Sequence, residues 1–354
     1  MTEFQNILVR ATNWVGDAVM SVPALQALRA RFPQARITIL ARPWVGGIYG
    51  REPFCDELIP YEAPKGWEGV GEKLQVAAQL RGRKFDCALL LQNAFEAAAL
   101  VRMAGIPARI GYATDGRAWM LSNAIRVPRP DETAPHQRFY YLELLKRAKL
   151  IADYPREGDI RLSGAAAAAE KGRERFLQAS ISGPVVGVSP GAAYGGAKRW
   201  LPERFAEAAT HVARDRSATV AIFGARKELP VCDLVQARLE AVGQRYVNFA
   251  GATSIADFVE MAAACDAFLT NDSGPMHIAS ALGIPTIAIF GATDHLATGP
   301  TGASSCVVRE RVDCSPCLLR ECPIDHRCMT RVSAARVANT ALELIEIQKR
   351  AECR

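Results

Sequence analysis

The loop Ala11–Leu25 carries a glycine and an acidic residue in a position where a carboxylate could act on a substrate. Gly16 permits a tight turn, and Asp17 then stands at the start of a predicted helix. Two interpretations of Asp17 are open. It caps the helix by accepting backbone N–H bonds, or it is the general base that takes a proton from a hydroxyl group. The loop lacks the G-x-G-x-x-G spacing of a nicotinamide dinucleotide site.

The segment Ser189–Phe205 is rich in glycine and contains one lysine near its centre. Gly191, Gly195 and Gly196 allow the backbone to approach a ligand closely, and Lys198 adds a positive charge. A lysine in an exposed loop is usually only solvated. Beside three glycines at the end of a predicted strand, however, phosphate binding is the interpretation that we favour.

The segment Phe268–Pro285 has the composition of a strand that runs into a helix N-terminus. Asp272 and Ser273 precede a helix that is predicted to begin at Pro275. These residues alone make a stable helix N-terminus. The N–H groups of such a terminus, together with the Ser273 hydroxyl, would also hold a diphosphate, and His277 lies close enough to donate to the same group.

The chain has ten cysteines, and its N-terminus shows no secretion signal, so we expect reduced thiols. Four of the cysteines follow the spacing C-x2-C-x4-C-x5-C, which is close to that of a small zinc knuckle. The sequence leaves three interpretations open: a structural zinc, an iron–sulfur cluster, or free thiols that pack a loop. The residues concerned are Cys314, Cys317, Cys322 and Cys328.

Short apolar runs alternate with helix-length segments from end to end, which predicts an α/β protein with parallel sheets. The predicted strands are Asn6–Arg10, Arg36–Ala41, Asp86–Gln92, Pro184–Ser189, Ala218–Phe223, Ala267–Thr270 and Thr286–Phe290. The predicted helices include Ala18–Arg31 and His136–Leu150. The segment Ile151–Gly164 reads as a linker between two doubly wound domains. We therefore expect domains at residues 1–160 and 161–332, a cysteine-rich loop at 306–328, and a terminal helix within 333–354. In such sheets the loops at the carboxyl ends of the strands bind the ligand.

Composition excludes several classes of protein. Hydrophobic residues make up 49% of the 354 residues and charged residues 23%, which is the balance of a globular enzyme. The net charge of +6 is too small and too dispersed to indicate a nucleic-acid partner. No apolar stretch is long enough to span a bilayer, so we expect a cytoplasmic protein.

Three motifs in order carry a resemblance to a known family. GDAVMSVPALQALR, PGAAYGGAKRWLPERFAE and TNDSGPMHIASALGIPTIAIFGATD resemble the ADP-heptose:lipopolysaccharide heptosyltransferases, and the heptosyltransferase II group most closely. The resemblance implies a GT-B fold, with two Rossmann-like domains facing across a cleft. It also implies an inverting transfer of heptose, no obligatory metal, and a second domain that binds the donor.

The resemblance also assigns roles to individual residues. Asp17 matches the family's catalytic base, and Lys198 matches a lysine that contacts the donor diphosphate. Glu228 matches an acidic residue that meets the adenosine ribose. Ala193 departs from the family, because an acidic residue is expected there, and this puts one donor contact in doubt. The remaining donor-binding positions are Gly191, Asp272, Ser273, Gly274, Met276 and His277.

The acceptor implied by the resemblance is the anionic, lipid-linked inner-core precursor of lipopolysaccharide, heptosyl-Kdo-lipid A. A protein that uses it would contact the inner membrane at its cytoplasmic face. The acceptor-side loops, which include Gln92, Asn93 and Ala108–Tyr112, look family-like. The basic candidates are the loop arginines Arg42, Arg51, Arg102 and Arg117. Two rival functions are a transferase or epimerase using another nucleotide sugar, and a binding module without catalysis.

Overall fold

The computed structural model describes residues 3–64 and 69–352, and the chain divides into two compact units. The first unit is Met1–Glu157 and the second is Gly158–Arg354. The division falls inside the predicted linker Ile151–Gly164, shortly before the expected limit at residue 160.

Six parallel strands form the sheet of the first unit, within the described residues. The strands are β1 (Asn6–Arg10), β2 (Arg36–Ala41), β3 (Glu57–Pro60), β4 (Cys87–Leu90), β5 (Ala108–Tyr112) and β6 (Asn123–Ile125). The helices are α1 (Val15–Met20), α2 (Val22–Arg31), α3 (Pro43–Tyr49), α4 (Val70–Gly82), α5 (Phe95–Met103) and α6 (Arg138–Arg147). β1 and β4 are buried along almost their whole length, because helices cover both faces of the sheet.

The helix predicted over Ala18–Arg31 is in fact two helices, α1 and α2. Pro23 lies in the first turn of α2 and has no N–H group to continue the hydrogen bonds of α1. Ser21 occupies the break, and its hydroxyl donates to the carbonyl of Ala18 over 2.8 Å. The prediction of a single helix was therefore wrong at the proline.

The second unit repeats the plan of the first. Its strands are β7 (Val185–Ser189), β8 (Thr219–Ile222), β9 (Tyr246–Asn248), β10 (Ala267–Asn271), β11 (Thr286–Phe290) and β12 (Ser305–Arg309). Its helices are α7 (Ala165–Gln178), α8 (Pro202–Arg216), α9 (Leu229–Ala241), α10 (Ile255–Ala263), α11 (Gly274–Ala281), α12 (His295–Thr298), α13 (Arg327–Thr330) and α14 (Ala334–Glu352). The first residues of the predicted cysteine-rich loop belong to β12, which pairs with β11.

The strand order places the loops of interest at matching points in the two sheets. The order is β3-β2-β1-β4-β5-β6 in the first unit and β12-β11-β10-β7-β8-β9 in the second, with every pair parallel. The direction of the order reverses between β1 and β4, and again between β7 and β10. Ligands of doubly wound sheets bind at such switch points, outside the carboxyl ends of the strands. Among the described helices, none combines the length and apolar character that crossing a bilayer requires.

Candidate active site

Asp17 lies at the switch point of the first sheet, in the first turn of α1 after β1. The N-cap residue of α1 is Trp14, whose side chain makes no capping hydrogen bond, and Asp17 lies in the first turn of the helix. The half-buried Asp17 carboxylate accepts a hydrogen bond at Oδ1 from the hydroxyl of Tyr141, over 2.9 Å. A held carboxylate at this edge of the sheet has the geometry of a positioned base.

Tyr141 is a member of the site that the sequence interpretation missed. It lies on α6, is 3% exposed, and reaches Asp17 from 124 positions along the chain. Burial, and then the Asp17 charge, raise the pKa of Tyr141 well above its ordinary value, so its hydroxyl stays a donor. The periodicity of the predicted helix over His136–Leu150 indicated only its apolar face.

Asn93 and Arg117, two predicted acceptor ligands, are joined to each other. The Arg117 guanidinium donates to Oδ1 of Asn93 over 3.1 Å, and the Asn93 amide donates to the hydroxyl of Tyr140 over 2.7 Å. Arg117 is 0% exposed, and burial lowers its pKa to about 10. Its other hydrogen bonds go to the carbonyls of Tyr112, Gln92 and Ala94. Arg117 therefore holds the loops after β4 and β5 together by hydrogen bonds. Its role in binding an acceptor stays a prediction.

Arg42 is also buried, at 6% exposed. It donates to the carbonyls of Tyr61 and Ala63 and lies 4.7 Å from the centre of the Tyr61 ring. The structure does not bring Arg102 to this cluster, because its guanidinium lies over the Trp119 ring at 5.2 Å. Ala108–Tyr112, predicted as a loop, is strand β5.

Three loops of the second unit meet at the carboxylate of Asp272. Lys198, from the loop after β7, lies with Nζ 2.5 Å from Oδ2 of Asp272, which follows β10. Thr293, in the loop after β11, donates its hydroxyl to the same oxygen over 2.5 Å. Asp272 is 4% exposed, and its partners offset part of the cost of burying a carboxylate. The sequence interpretation missed Thr293. The signal that could have identified it is its position shortly after the predicted strand Thr286–Phe290.

Asn271 fixes the spacing of two of these loops. Its buried side chain accepts from the backbone N–H of Trp200 over 2.9 Å and donates to the carbonyl of Pro190 over 2.8 Å. The loops that carry Lys198 and Asp272 are thus tied together beneath the ion pair.

The N-terminus of α11 is arranged differently from the sequence prediction. The helix begins at Gly274, and its N-cap residue Ser273 makes no side-chain cap in the described part of the chain. The Ser273 hydroxyl lies 3.1 Å from that of Thr270. His277 is 5% exposed, and Met276 is fully buried. The first turn of α11 therefore presents backbone N–H groups that could donate hydrogen bonds to an anion.

Gly191 and Glu228, both predicted donor residues, are in direct contact. Glu228 is 9% exposed and accepts from the backbone N–H of Ala225 over 2.9 Å. A Cβ atom on Gly191 would lie 2.3 Å from the carboxyl carbon of Glu228, so a larger residue would have to displace that side chain. The acidic side chain thus lies at the edge of the glycine-rich segment Ser189–Phe205, which is called the glycine loop below.

The segment Cys314–Cys328, called the cysteine segment below, packs against the glycine loop. Within the described part of the chain, four hydrogen bonds join it to Tyr194–Ala197, directly before Lys198. They link Tyr194 Oη to Leu318 O (2.6 Å), Ala197 N to Arg320 O (2.9 Å), Gly196 N to Glu321 Oε1 (2.9 Å) and His326 Nε2 to Ala197 O (3.1 Å). The segment therefore holds the backbone on which Lys198 stands.

The four thiols of the cysteine segment line one cavity of about 70 Å³. Burial, together with the neighbouring thiols, raises the pKa of Cys328 to about 11. No three His, Cys, Asp or Glu side chains of residues 3–64 and 69–352 are arranged to hold a metal ion. The thiols share a cavity without forming a ready ligand set, and the structural zinc stays a prediction.

Known proteins resemble this chain over most of its length. A family model described as glycosyltransferase family 9 (heptosyltransferase) matches residues 73–327. Lipopolysaccharide heptosyltransferase 2 of Escherichia coli K12 is 32% identical over 309 residues, which is 86% of this chain and 87% of the relative. Lipooligosaccharide heptosyltransferase 2 of Haemophilus influenzae is 32% identical over 308 residues, covering 86% and 88%.

A solved structure extends the match to the fold. The structure of E. coli ADP-heptose lps heptosyltransferase II superimposes with a TM-score of 0.82 at 29% identity, covering 98% of this chain and 100% of that chain. The predicted α/β fold of GT-B type, with two Rossmann-like sheets, is thereby confirmed. The switch-point loops, the family model and these relatives agree, and the chain belongs to glycosyltransferase family 9, the heptosyltransferases.

Proposed function

We propose that this enzyme transfers heptose from ADP-heptose to the inner core of lipopolysaccharide, with heptosyl-Kdo-lipid A as acceptor and inversion at the anomeric carbon. The observation that carries the proposal is the meeting of Lys198, Asp272 and Thr293 at the switch point of the second sheet. It is supported by the relatives, whose names specify heptosyl transfer to lipopolysaccharide.

The donor binds, in this proposal, along the carboxyl edge of β7, β8 and β10. Lys198 and the first turn of α11 hold the diphosphate, and Glu228 meets the ribose beside Gly191. Lys198 must then exchange its partner Asp272 for a phosphate oxygen, while Thr293 keeps Asp272 hydrogen-bonded. His277, one turn into α11, donates to the same phosphates.

Asp17 acts as the general base. It removes the proton from the acceptor hydroxyl as that oxygen attacks the anomeric carbon, and the bond to ADP breaks. The negative charge that develops on ADP is stabilised by Lys198 and by the α11 N-terminus, more strongly in the transition state than in the ground state. The chemistry thus proposed uses no metal ion.

The acceptor is proposed to bind the first unit, near Asp17, Asn93 and Arg42. Because it is lipid-linked, the enzyme would work in the cytoplasm at the inner face of the inner membrane. A zinc ion bound by Cys314, Cys317, Cys322 and Cys328 would be structural, and the spacing and the shared cavity are what support it. Elemental analysis of the purified protein distinguishes the interpretations: about one zinc per chain for a zinc knuckle, iron for a cluster, and neither metal for free thiols.

The test is release of ADP from ADP-heptose in the presence of defined lipid A–core acceptors, before and after treatment with a chelator. Transfer that needs heptosyl-Kdo-lipid A and survives the chelator supports the proposal. Faster turnover of another nucleotide sugar would favour the rival transferase, and donor binding without any turnover would favour the binding module. Strict dependence on added magnesium or manganese would contradict the metal-free chemistry.

A further inference from the structure

Two tryptophans beside Asp17 expose most of their indole surface. Trp14 is 62% exposed and Trp44 is 51% exposed. They follow β1 and β2, which are neighbours in the sheet, so both stand at the carboxyl edge where Asp17 lies. Tryptophan side chains usually bury 150–250 Å² of surface each, as an order of magnitude, so a pair of open indoles indicates a binding surface.

Hydrogen bonds hold the Trp44 indole and the Trp14 backbone in place. Trp44 donates from Nε1 to the carbonyl of Asn13 over 3.0 Å, which ties it to the residue before Trp14. The carbonyl of Trp14 accepts from the backbone N–H of Ala18 over 2.9 Å. Arg42 lies under Trp44, with its guanidinium carbon 5.6 Å from the ring centre. Because the Trp44 indole is already ordered, it loses little further conformational entropy when a ligand binds.

We propose that Trp14 and Trp44 form a stacking platform for the sugar rings of the acceptor, a saccharide subsite next to the general base. The apolar C–H face of a pyranose packs on an indole, while its hydroxyl groups remain free for other partners. Trp14 precedes Asp17 by three positions, so a ring on its indole would lie near the carboxylate. Arg42 adds a positive charge beside the platform, which suits an acidic sugar.

This inference rests on the proposed function, because it takes the substrate of the first unit to be a saccharide. It commits to the sugar rather than to the bilayer for two reasons. The hydrogen bond of the Trp44 N–H orients that indole within the loop system of Asp17. The catalytic carboxylate also requires a sugar hydroxyl, and not a lipid tail, at this edge.

The experiment compares Trp14→Leu and Trp44→Leu with the matched control Trp119→Leu, and includes Trp14→Phe as a rescue. Trp119 is 65% exposed in the same unit, but lies on the connection between β5 and β6. The probe is the lipid-free heptosyl-Kdo saccharide, titrated by calorimetry without donor, followed by KM measurements with the same saccharide. The leucine variants should bind it about tenfold more weakly, the change expected when an aromatic contact is lost. Trp14→Phe should recover part of this affinity, and ADP affinity should not change.

Unchanged saccharide affinity in both leucine variants would overturn the platform. A loss of binding only to anionic phospholipid vesicles, with the saccharide unaffected, would assign the indoles to the bilayer and overturn it too. The two failures are distinguishable in the wild-type protein. If the wild type does not bind the saccharide, or binds it without transfer, the proposed function fails. If the wild type binds it and the leucine variants bind it equally well, only the platform fails.

Discussion

Lys198 and Asp272 lie 74 positions apart in the chain, yet their charged atoms are separated by 2.5 Å. They stand on the loops that follow neighbouring strands β7 and β10, and Asn271 ties these loops together underneath. The ion pair is largely buried, so each charge stabilises the other before any donor arrives. If the donor binds Lys198 as proposed, a phosphate oxygen replaces the Asp272 carboxylate as the partner of this lysine.

Replacing Lys198 with alanine should weaken ADP binding and slow heptose transfer together. A charge-assisted contact to phosphate contributes on the order of 1.5–3 kcal/mol, and the variant loses it in both ground and transition states. Calorimetry with ADP and initial rates check this, with Lys171→Ala as the control because Lys171 is an exposed lysine of α7. If the ADP dissociation constant and the rate are both unchanged, Lys198 lies outside the donor site.

The Asp17→Asn variant should lose about two to four orders of magnitude in turnover, the usual range for removal of a general base. Asparagine has nearly the same size and still accepts a hydrogen bond from Tyr141, so ADP binding should remain normal. Asp153→Asn removes an exposed carboxylate of the same unit and serves as the control. A variant that retains most of its rate would show that Asp17 is not the base.

Tyr141→Phe should lower kcat/KM about tenfold at neutral pH and move the acidic limb of the pH profile upward. The carboxylate of Asp17 loses a donor that favours its charged form, and the loss is of the size expected for a hydrogen bond to a charged group. Tyr154→Phe is a matched control, because the Tyr154 hydroxyl also donates to a carboxylate, that of Glu143, over 2.8 Å. An acidic limb that stays in place would contradict a positioning role for Tyr141.

Gly191→Ala should reduce affinity for ADP by displacing Glu228. The new Cβ would lie 2.3 Å from the Glu228 carboxyl carbon, so one of the two must move. Gly71→Ala is the control, since a Cβ added at Gly71 meets nothing within 4 Å. Normal ADP affinity in the Gly191 variant would show that neither the glycine nor the Glu228 position matters to the nucleotide.

Alkaline pH should destabilise the first unit. Burial raises the pKa of Tyr49, Tyr61, Tyr112 and Tyr141, all in that unit, above the ordinary value of about 10. Because the folded pKa is raised, their contribution is complete below pH 10 and is lost as pH rises toward the folded values. Each of these tyrosines lowers the unfolding free energy of the protein by up to about 1.4 kcal/mol per pH unit above 10. The chain has eight tyrosines, so about half of the full tyrosinate absorbance should appear only together with unfolding by circular dichroism. Ionisation of all eight while circular dichroism shows a fully folded protein would contradict this.

Local sequence patterns predicted most of the framework. Strands β1, β2 and β11 have the predicted bounds, because an apolar run between turn residues has few alternatives. The short edge strands β3 and β6 gave no such signal. The break before Pro23 shows that a proline in the first turn of one helix ends the helix before it.

The candidate site was predictable only in part, and for a physical reason. Asp17, Lys198 and Asp272 stand in loops whose composition marks them, whereas Tyr141 and Thr293 matter because of where the fold brings them. Nothing in the sequence around Tyr141 refers to a carboxylate 124 positions away. Partners of this kind are set by tertiary packing, as are the brace contacts of Arg117.

The contact between the glycine loop and the cysteine segment has a consequence for the order in which the protein becomes active during synthesis. Tyr194 bonds to Leu318, which leaves the ribosome 124 residues later. Until then the N–H groups of Gly196 and Ala197 lack the partners that hold them in the finished protein. A nascent chain that ends before Cys314 would already contain Asp17, Lys198 and Asp272. Its glycine loop would still lack these partners, so we expect the proposed donor site to be completed among the last events of translation.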